Sequence, residues 1–363
     1  MFLDSDVYIK VGGLVSALGL DTDNAIESLL KGKSGLRKSN KFLGFSDYYT
    51  GYVEGLSVEN RFNDLLCLAL TKISENYSDI ARSPDTIIVI SSSKGNIALL
   101  PENPFQNLAS DVQARLGACH KPLVISNACV SGILAINVAA DLLRIDKYRN
   151  AIVIGIDALS DFVLKGFRSL FALSSERCLP YDINRKGINL GEAVGFVILS
   201  TSLSIGGFNA VHLAGATNND ANHISGPSRT GEGLYLAVKH CLSLASIGGA
   251  DVDYISSHGT STLYNDEMES IAFDRLGLNS VPLNSFKGYV GHTLGASGVV
   301  ETILGMKSIE KKKVAKSLGC STIGVSKGLN IVSETLDRES RFFLKTGSGF
   351  GGCNAALLIK NLL

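Results

Sequence analysis

At 363 residues the chain is too long for one ordinary core and implies two domains or one doubled unit; with 45% hydrophobic residues, a large fraction is expected to be buried. Lys and Arg total 34 against 34 Asp and Glu, so the net charge is zero, which excludes nucleic-acid or membrane-surface functions driven by bulk electrostatics. No apolar run reaches the ~18 residues that span a bilayer, the opening MFLDSDVYIK lacks the basic and apolar regions of a leader, and the seven cysteines show no CxxC spacing. A cytoplasmic protein is expected, with neither a disulfide scaffold nor a metal site.

Val7 to Val11 reads as a strand, and Thr22 to Leu30 as an amphipathic helix with its cap signal at Asp21 and Thr22. Arg37 to Ser57 carries aromatics without a clear period and is expected to be loop. A helix follows over Leu65 to Ile80, then a β-branched strand over Thr86 to Ile90 running into the polar turn SSSKGN, then a helix over Gln106 to Leu116. Leu123 to Ile125 reads as a buried strand end. After the tight turn Asn127-Ala128-Cys129, the apolar residues from Val130 to Leu143 wrap nearly all the way round a helix, so this helix should be enclosed on every side. Cys129 then stands at a strand-to-helix junction, where free backbone N–H groups and the helix dipole favour a thiolate. Free cysteine is also a common buried hydrophobe, so a chemical role needs a base or donor from elsewhere in the chain.

Ala151 to Ile156 is a buried strand. It feeds Asp157 to Ser174, whose apolar residues are too irregular for one helix and suit a pocket wall or an interface. Cys178 to Leu199 holds glycine turns and then a strand from Ala193. The second half repeats the plan, with strands over Ala210 to Leu213 and Val252 to Ser256, helices over Glu232 to Leu244 and Asp266 to Leu276, and a glycine-rich turn before the helix Gly295 to Lys307. That helix is small at its start and largely apolar, as is the one after Val130, and the two read as counterparts about a pseudo-twofold axis. Strands over Arg341 to Lys345 and Ala355 to Lys360 bracket the turn TGSGFGGCN. The halves are placed at residues 1–205 and 206–363.

Three motifs in the second half supply what Cys129 lacks. SSHGTST puts His258 directly after a strand, with the hydroxyls of Thr260 and Thr262 spaced two apart; KGYVGHTLGASGVVE puts His292 in another such turn; GSGFGGCN offers backbone N–H groups around Phe350. Each has a bland reading, a structural histidine or a plain turn. Four matching pieces in this order are harder to dismiss.

In that order, together with the segment YDINRKGINLGEAVG and the KxxxxH pair Lys287 and His292, the sequence resembles the elongating (KAS I/II) type of β-ketoacyl-acyl-carrier-protein synthases over nearly its whole length. The resemblance implies an α/β thiolase-like fold, two βαβαβ-type halves related by a pseudo-twofold and layered α-β-α-β-α. It implies that Cys129 takes an acyl chain from a carrier-protein thioester, and that the N–H groups of Cys129 and Phe350 form the oxyanion hole. His258 and His292 would stabilise the enolate formed when malonyl-carrier protein loses CO2. Lys287 and Glu301 would organise the site, Thr260 and Thr262 bind phosphopantetheine, and Phe350 gate the acyl pocket, a core aromatic being the alternative for the last. No cofactor is expected to be permanently bound, because phosphopantetheine arrives on the acyl carrier protein substrate. The family implies a homodimer, or a heterodimer with a homologous synthase or chain-length subunit. The rival readings are a non-catalytic chain-length partner and a synthase-fold acyltransferase. Departures at Ser348 and Cys353, and the variants around HGTSTLYNDEMES, look more like synthases of secondary pathways such as aryl-polyene or flexirubin pigments. A basic patch for an acidic carrier is sought first at Lys311, Lys312 and Lys313, where a solvated helix end is the plain alternative, and then at Lys165 and Arg168.

Overall fold

The computed structural model describes residues 6–203 and 206–363. Its first strands are β1 (Val7–Ser16), the two-residue pair β2 (Arg37–Lys38) and β3 (Tyr49–Thr50), then β4 (Thr86–Ser91), β5 (Leu123–Ile125), β6 (Asn150–Asp157) and β7 (Ala193–Ser200). After them come β8 (Ala210–Asn219), β9 (Tyr254–Ser256), β10 (Leu283–Asn284), the pair β11 (Lys313–Val314) and β12 (Leu336–Asp337), β13 (Phe342–Gly349) and β14 (Cys353–Asn361). The helices are α1 (Thr22–Leu30), α2 (Arg61–Arg82), α3 (Leu108–Leu116), α4 (Ser131–Arg144), α5 (Asp161–Ser169), α6 (Glu232–Leu244), α7 (Leu263–Arg275), α8 (Lys287–Val290) and α9 (Ser297–Glu310).

Ten strands form one ladder in the order β10-β9-β13-β14-β8-β1-β7-β6-β4-β5. Numbered within its own set of five, each half of that ladder reads 3-2-4-5-1. The senses repeat as well: β4 lies parallel to β5 and β6, and β7 antiparallel to β6 and β1, just as β9 lies parallel to β10 and β13, and β14 antiparallel to β13 and β8. The resemblance implied two halves in a layered doubled fold, which the repeated strand order shows, and the two strand sets are joined rather than left apart. Strand β1 pairs with β8 through Val7↔His212, Tyr8↔Val211 and Ile9↔Ala210, because each innermost strand otherwise presents a bare edge. Ile205, at the expected boundary, lies outside the described residues.

Period-two alternation sorts the strand residues into layers. Ile87 and Val89 join the central core, while Ile88 and Ile90 face α2 and α3. On the other set, Leu357 and Ile359 point inward and Leu358 packs under α6 and α7. Helices α4 and α9 touch strands of both sets and fill the middle layer, where full burial of each Ile or Val is worth about 1.5–3 kcal/mol. Their closeness rests on two glycines. A Cβ on Gly132 would stand 2.7 Å from Val299 N, and one on Gly298 would stand 2.2 Å from Ile133 N.

Two local expectations give way. The stretch after β6 was read as irregular, yet it contains α5, capped by Ser160 Oγ accepting the Val163 N–H at 3.3 Å. Only Val163 and Leu164 of that helix are buried while Phe162 is exposed, which blurs its period. Between Lys287 and His292, where a glycine turn was expected, one turn of helix forms as α8. No described helix is long and apolar enough to cross a membrane.

Candidate functional site

The two middle helices bring the site together, since Cys129 precedes α4 and His292 precedes α9. Between β5 and α4 the chain turns through Ala128 at φ 44°, a left-handed residue that costs about 1–2 kcal/mol. Ser131 Oγ pins this elbow, accepting the Asn127 N–H and donating to the Ala128 carbonyl, both at 2.7 Å. The turn presents Cys129 Sγ 2.9 Å from His292 Nε2. The His258 and His292 rings meet edge to face, with centroids 5.1 Å apart.

The state of each ring follows from its far side. Leu294 N–H donates to His292 Nδ1 at 3.3 Å, and the Lys287 ammonium, which can only donate, stands 3.4 Å from His258 Nδ1. Both Nδ1 atoms are acceptors, so both rings carry their proton on Nε2. Burial holds both histidines well below their usual pKa, helped by the Lys287 and Lys345 ammonium groups. The site therefore offers two neutral N–H donors.

Cys129 departs from expectation. Helix α4 begins two residues later, at Ser131, and burial pushes the thiol up to about 12, against the pull of Lys287 and the Phe350 N–H. The cavity still leaves the residue partly accessible, but burial outweighs the junction effect that favoured a standing thiolate. The Phe350 N–H faces the same sulfur, and a Cβ on Gly349 would stand 3.1 Å from Cys129 N; the two expected oxyanion donors are thus neighbours.

Lys287 Nζ lies 2.8 Å from Glu301 Oε1, with both side chains buried. Thr260 and Thr262 are joined hydroxyl to hydroxyl at 2.8 Å and line, with Cys129, both histidines and Phe350, a cavity of about 500 Å³. Phe350 stacks on Phe167 of α5, centroids 5.8 Å apart. The structure thus brings Cys129, His258, His292, Thr260, Thr262 and Phe350 to one cavity, with the Lys287–Glu301 pair behind His258. Lys312 and Lys313 are not among them: they pair with Glu339 and Asp337 and do not line the cavity.

Several buried charges around the site escaped the sequence reading. Glu269 Oε1 and Oε2 accept the N–H groups of His258 and Gly259, both at 2.7 Å, and Asp266 accepts those of Thr260 and Ser261 at 2.9 and 3.1 Å. Burial, with Asp266 beside it, raises Glu269 to about 7. Asp157 accepts the Gly295 N–H at 2.7 Å and pairs with Lys94 at 2.8 Å, tying the loop after His292 to the first strand set. Lys345 on β13 places its Nζ 2.6 Å from Glu301 Oε2. The i, i+3 spacing of Asp266 and Glu269 was a usable signal, as was a lysine inside the apolar run FFLK.

The donor atoms of Cys129, His258 and His292 lie within 4.8 Å of one another, a set of types that zinc takes. Both rings turn a proton toward that point, however, and two ammonium groups lie close by, so the arrangement suits an anion better than a cation.

Residues 96–204 match the family model described as β-ketoacyl synthase, N-terminal domain, and residues 209–321 the model described as β-ketoacyl synthase, C-terminal domain. The 3-oxoacyl-[acyl-carrier-protein] synthase 2 of Rhizobium meliloti is 31% identical over 252 residues, covering 65% of this chain and 60% of that synthase. Its counterpart synthase 1 of Escherichia coli is 28% identical over 402 residues, covering 96% and 97%. Among solved structures, a chain of the complex of a ketosynthase with its chain length factor from Xenorhabdus doucetiae superposes with a TM-score of 0.85 at 25% identity, over 98% of both chains.

Proposed function

The chain belongs to the β-ketoacyl synthase family, and from that premise we propose that it is an acyltransferase joining an acyl group held on Cys129 to malonyl-acyl-carrier protein by decarboxylative Claisen condensation. One observation carries this reading: Cys129 Sγ stands 2.9 Å from His292 Nε2, with the His258 ring against it, at a point where both rings donate.

Cys129 attacks the carbonyl carbon of an acyl-carrier thioester, and the proton its sulfur gives up is balanced by the one the carrier thiolate takes on leaving. The resulting oxyanion is met by the N–H groups of Cys129 and Phe350. Collapse expels the carrier thiolate, which takes up a proton, and leaves acyl-Cys129. Malonyl-carrier protein then enters along the cavity, its phosphopantetheine arm passing the hydroxyls of Thr260 and Thr262. When its C–C bond breaks, CO2 departs and the electron pair moves onto the thioester oxygen as an enolate, held by Nε2–H of His258 and His292. The enolate carbon attacks acyl-Cys129. The tetrahedral adduct expels the Cys129 thiolate, which is reprotonated, and 3-oxoacyl-carrier protein leaves. Phosphopantetheine thus belongs to the substrate, and the chemistry asks for no resident cofactor.

The variants around HGTSTLYNDEMES favour a secondary elongation of the aryl-polyene or flexirubin kind, and the likeness to a chain of the Xenorhabdus ketosynthase–chain length factor complex supports a dimer with a second copy or a chain-length partner. In such a pair this chain is the catalytic member, because it retains the nucleophile and both histidines. Intact-mass measurement after addition of acyl-carrier protein is expected to show one acyl adduct that C129A loses. H292A is expected to keep the adduct and lose CO2 release from malonyl-carrier protein by at least about 10²-fold. An adduct in the wild type without condensation would mark an acyltransferase instead, and condensation alongside a homologous subunit that persists in C129A would mark a chain-length partner.

A further inference from the structure

Glu301 is gripped by two ammonium groups where one would balance it. Lys287 takes Oε1 at 2.8 Å from one side. Lys345 takes Oε2 at 2.6 Å from the other; this contact is an ion pair outside hydrogen-bond alignment, and no hydrogen bond reaches that oxygen. The Lys345 side chain is 1% exposed. Its Nζ also faces the carbonyls of Thr346 at 2.8 Å, Ser257 at 3.1 Å and Ser256 at 3.3 Å. Burial lowers the Lys345 pKa from its ordinary value while Glu301 holds it up, and a nitrogen surrounded by acceptors alone has no use for a lone pair, so the surroundings favour the ammonium form. Two positive charges against one carboxylate leave one positive charge unmatched inside a sealed cluster. The carbonyls that Lys345 binds, at Ser256 and Ser257, directly precede His258.

We infer that Lys345 is a positioning residue for the proposed reaction: by holding the second oxygen of Glu301 it leaves the cluster with one uncompensated positive charge, which keeps His258 and His292 neutral and their Nε2–H groups free for a developing anion. The charged groups facing Lys345 are Glu301 on α9, Lys287 on α8 and Glu269 on α7. Those facing the two rings are Lys287, Lys345 and, for His292, Lys94. Only Glu301 and Glu269 are acidic among them, and Glu269 is committed to loop N–H groups. Removing Lys345 therefore shifts the balance at both rings toward protonation.

The inference rests on the condensing role proposed above, and its test separates the two. K345Q keeps N–H donors for the Thr346 and Ser257 carbonyls while removing the charge. Wild type and K345Q, labelled with 15N-histidine, are titrated by NMR, the two rings being assigned among the six histidines with H258Q and H292Q. In the wild type both rings titrate well below the ordinary histidine range, held there by burial and the nearby ammonium groups. In K345Q their midpoints rise by about half a pH unit or more, the acid limb of malonyl decarboxylation moves up with them, and KM for malonyl-carrier protein changes less than about twofold. An acid limb that stays in place in folded K345Q overturns the inference, as does titration of either wild-type ring near its ordinary 6.5. Should K345Q not fold, K345M, which keeps the length of the side chain without its charge, is titrated in its place and judged by the same shifts. A wild type that releases no CO2 sinks the condensing role, and the NMR midpoints still judge Lys345.

Discussion

At the scale of single residues the chemistry rests on a sulfur that is hard to ionise beside donors that wait for charge. Because burial raises the Cys129 thiol to about 12, its alkylation by iodoacetamide is expected to climb roughly tenfold per pH unit from about pH 7 to 9, tracking the thiolate fraction; a rate already flat at pH 7 would restore the standing thiolate. The meeting of Cys129 with both histidines was legible in the sequence because each sits in a turn marked by glycine or by a small residue. What was not legible was their protonation. A junction beside a helix start argues for a thiolate, whereas the enclosing layers that reverse the argument come from segments more than 150 residues away, such as the His292 loop. Lys345 was legible only in part: a lysine inside the apolar run FFLK signals a buried charge, but only the position of α9 shows that it points inward at Glu301.

At the scale of elements, helix α7 holds one histidine loop and the contact of α4 with α9 sets the distance between sulfur and ring. Asp266 and Glu269, in the stretch DEMES, are fully buried and clamp residues 258–261 through their N–H groups. Glu269 is raised in the fold to about 7 from an ordinary 4.5, so the folded state binds more protons across that window. Its contribution is therefore full below pH 4.5 and is lost as the pH rises through about 7. The buried histidines tilt stability the other way, so the difference between wild type and E269Q is the informative quantity. The urea midpoint of the wild type, relative to that of E269Q, is expected to fall between about pH 5 and 8; a constant difference would show that Glu269 is ionised throughout. The helix contact gives a second test. In G298A the added methyl meets the Ile133 backbone nitrogen at 2.2 Å, and backbone cannot turn aside as a side chain can. A loss of about 1–3 kcal/mol is expected, with a fall in acylation rate as α4 and Cys129 move from His292. G328A, at a glycine with nothing near its Cβ position, serves as the control.

At the scale of the whole molecule, the repeated strand order leaves two sheet ends, and they are treated differently. At one end β10 is covered by a returning segment, with Leu283 N–H donating to the Asn330 carbonyl and Val332 N–H to that of Leu283, both at 2.9 Å. At the other end β5 is the outermost strand and, among the described residues, pairs with β4 alone. Its Leu123 is 40% exposed. The doubling itself was readable from the alternation of strands and helices and from the two similar apolar helices. The joining of the halves across β1 and β8 was not, since edge pairing depends on which strands are left bare after folding. An open three-residue edge two turns from the nucleophile is a template for another chain, and β5 leads straight into the Cys129 elbow, so pairing there would also stiffen the site. Sedimentation equilibrium is therefore expected to give about twice the 38.5 kDa chain mass, and L123K, which places a charge on that edge, is expected to shift the equilibrium to the single chain and lower activity in step. If L123K sediments as the wild type does, the contact lies elsewhere; if the wild type is monomeric alone but pairs when a homologous chain-length subunit is added, the same edge serves a heterodimer, and L123K should weaken that pairing too.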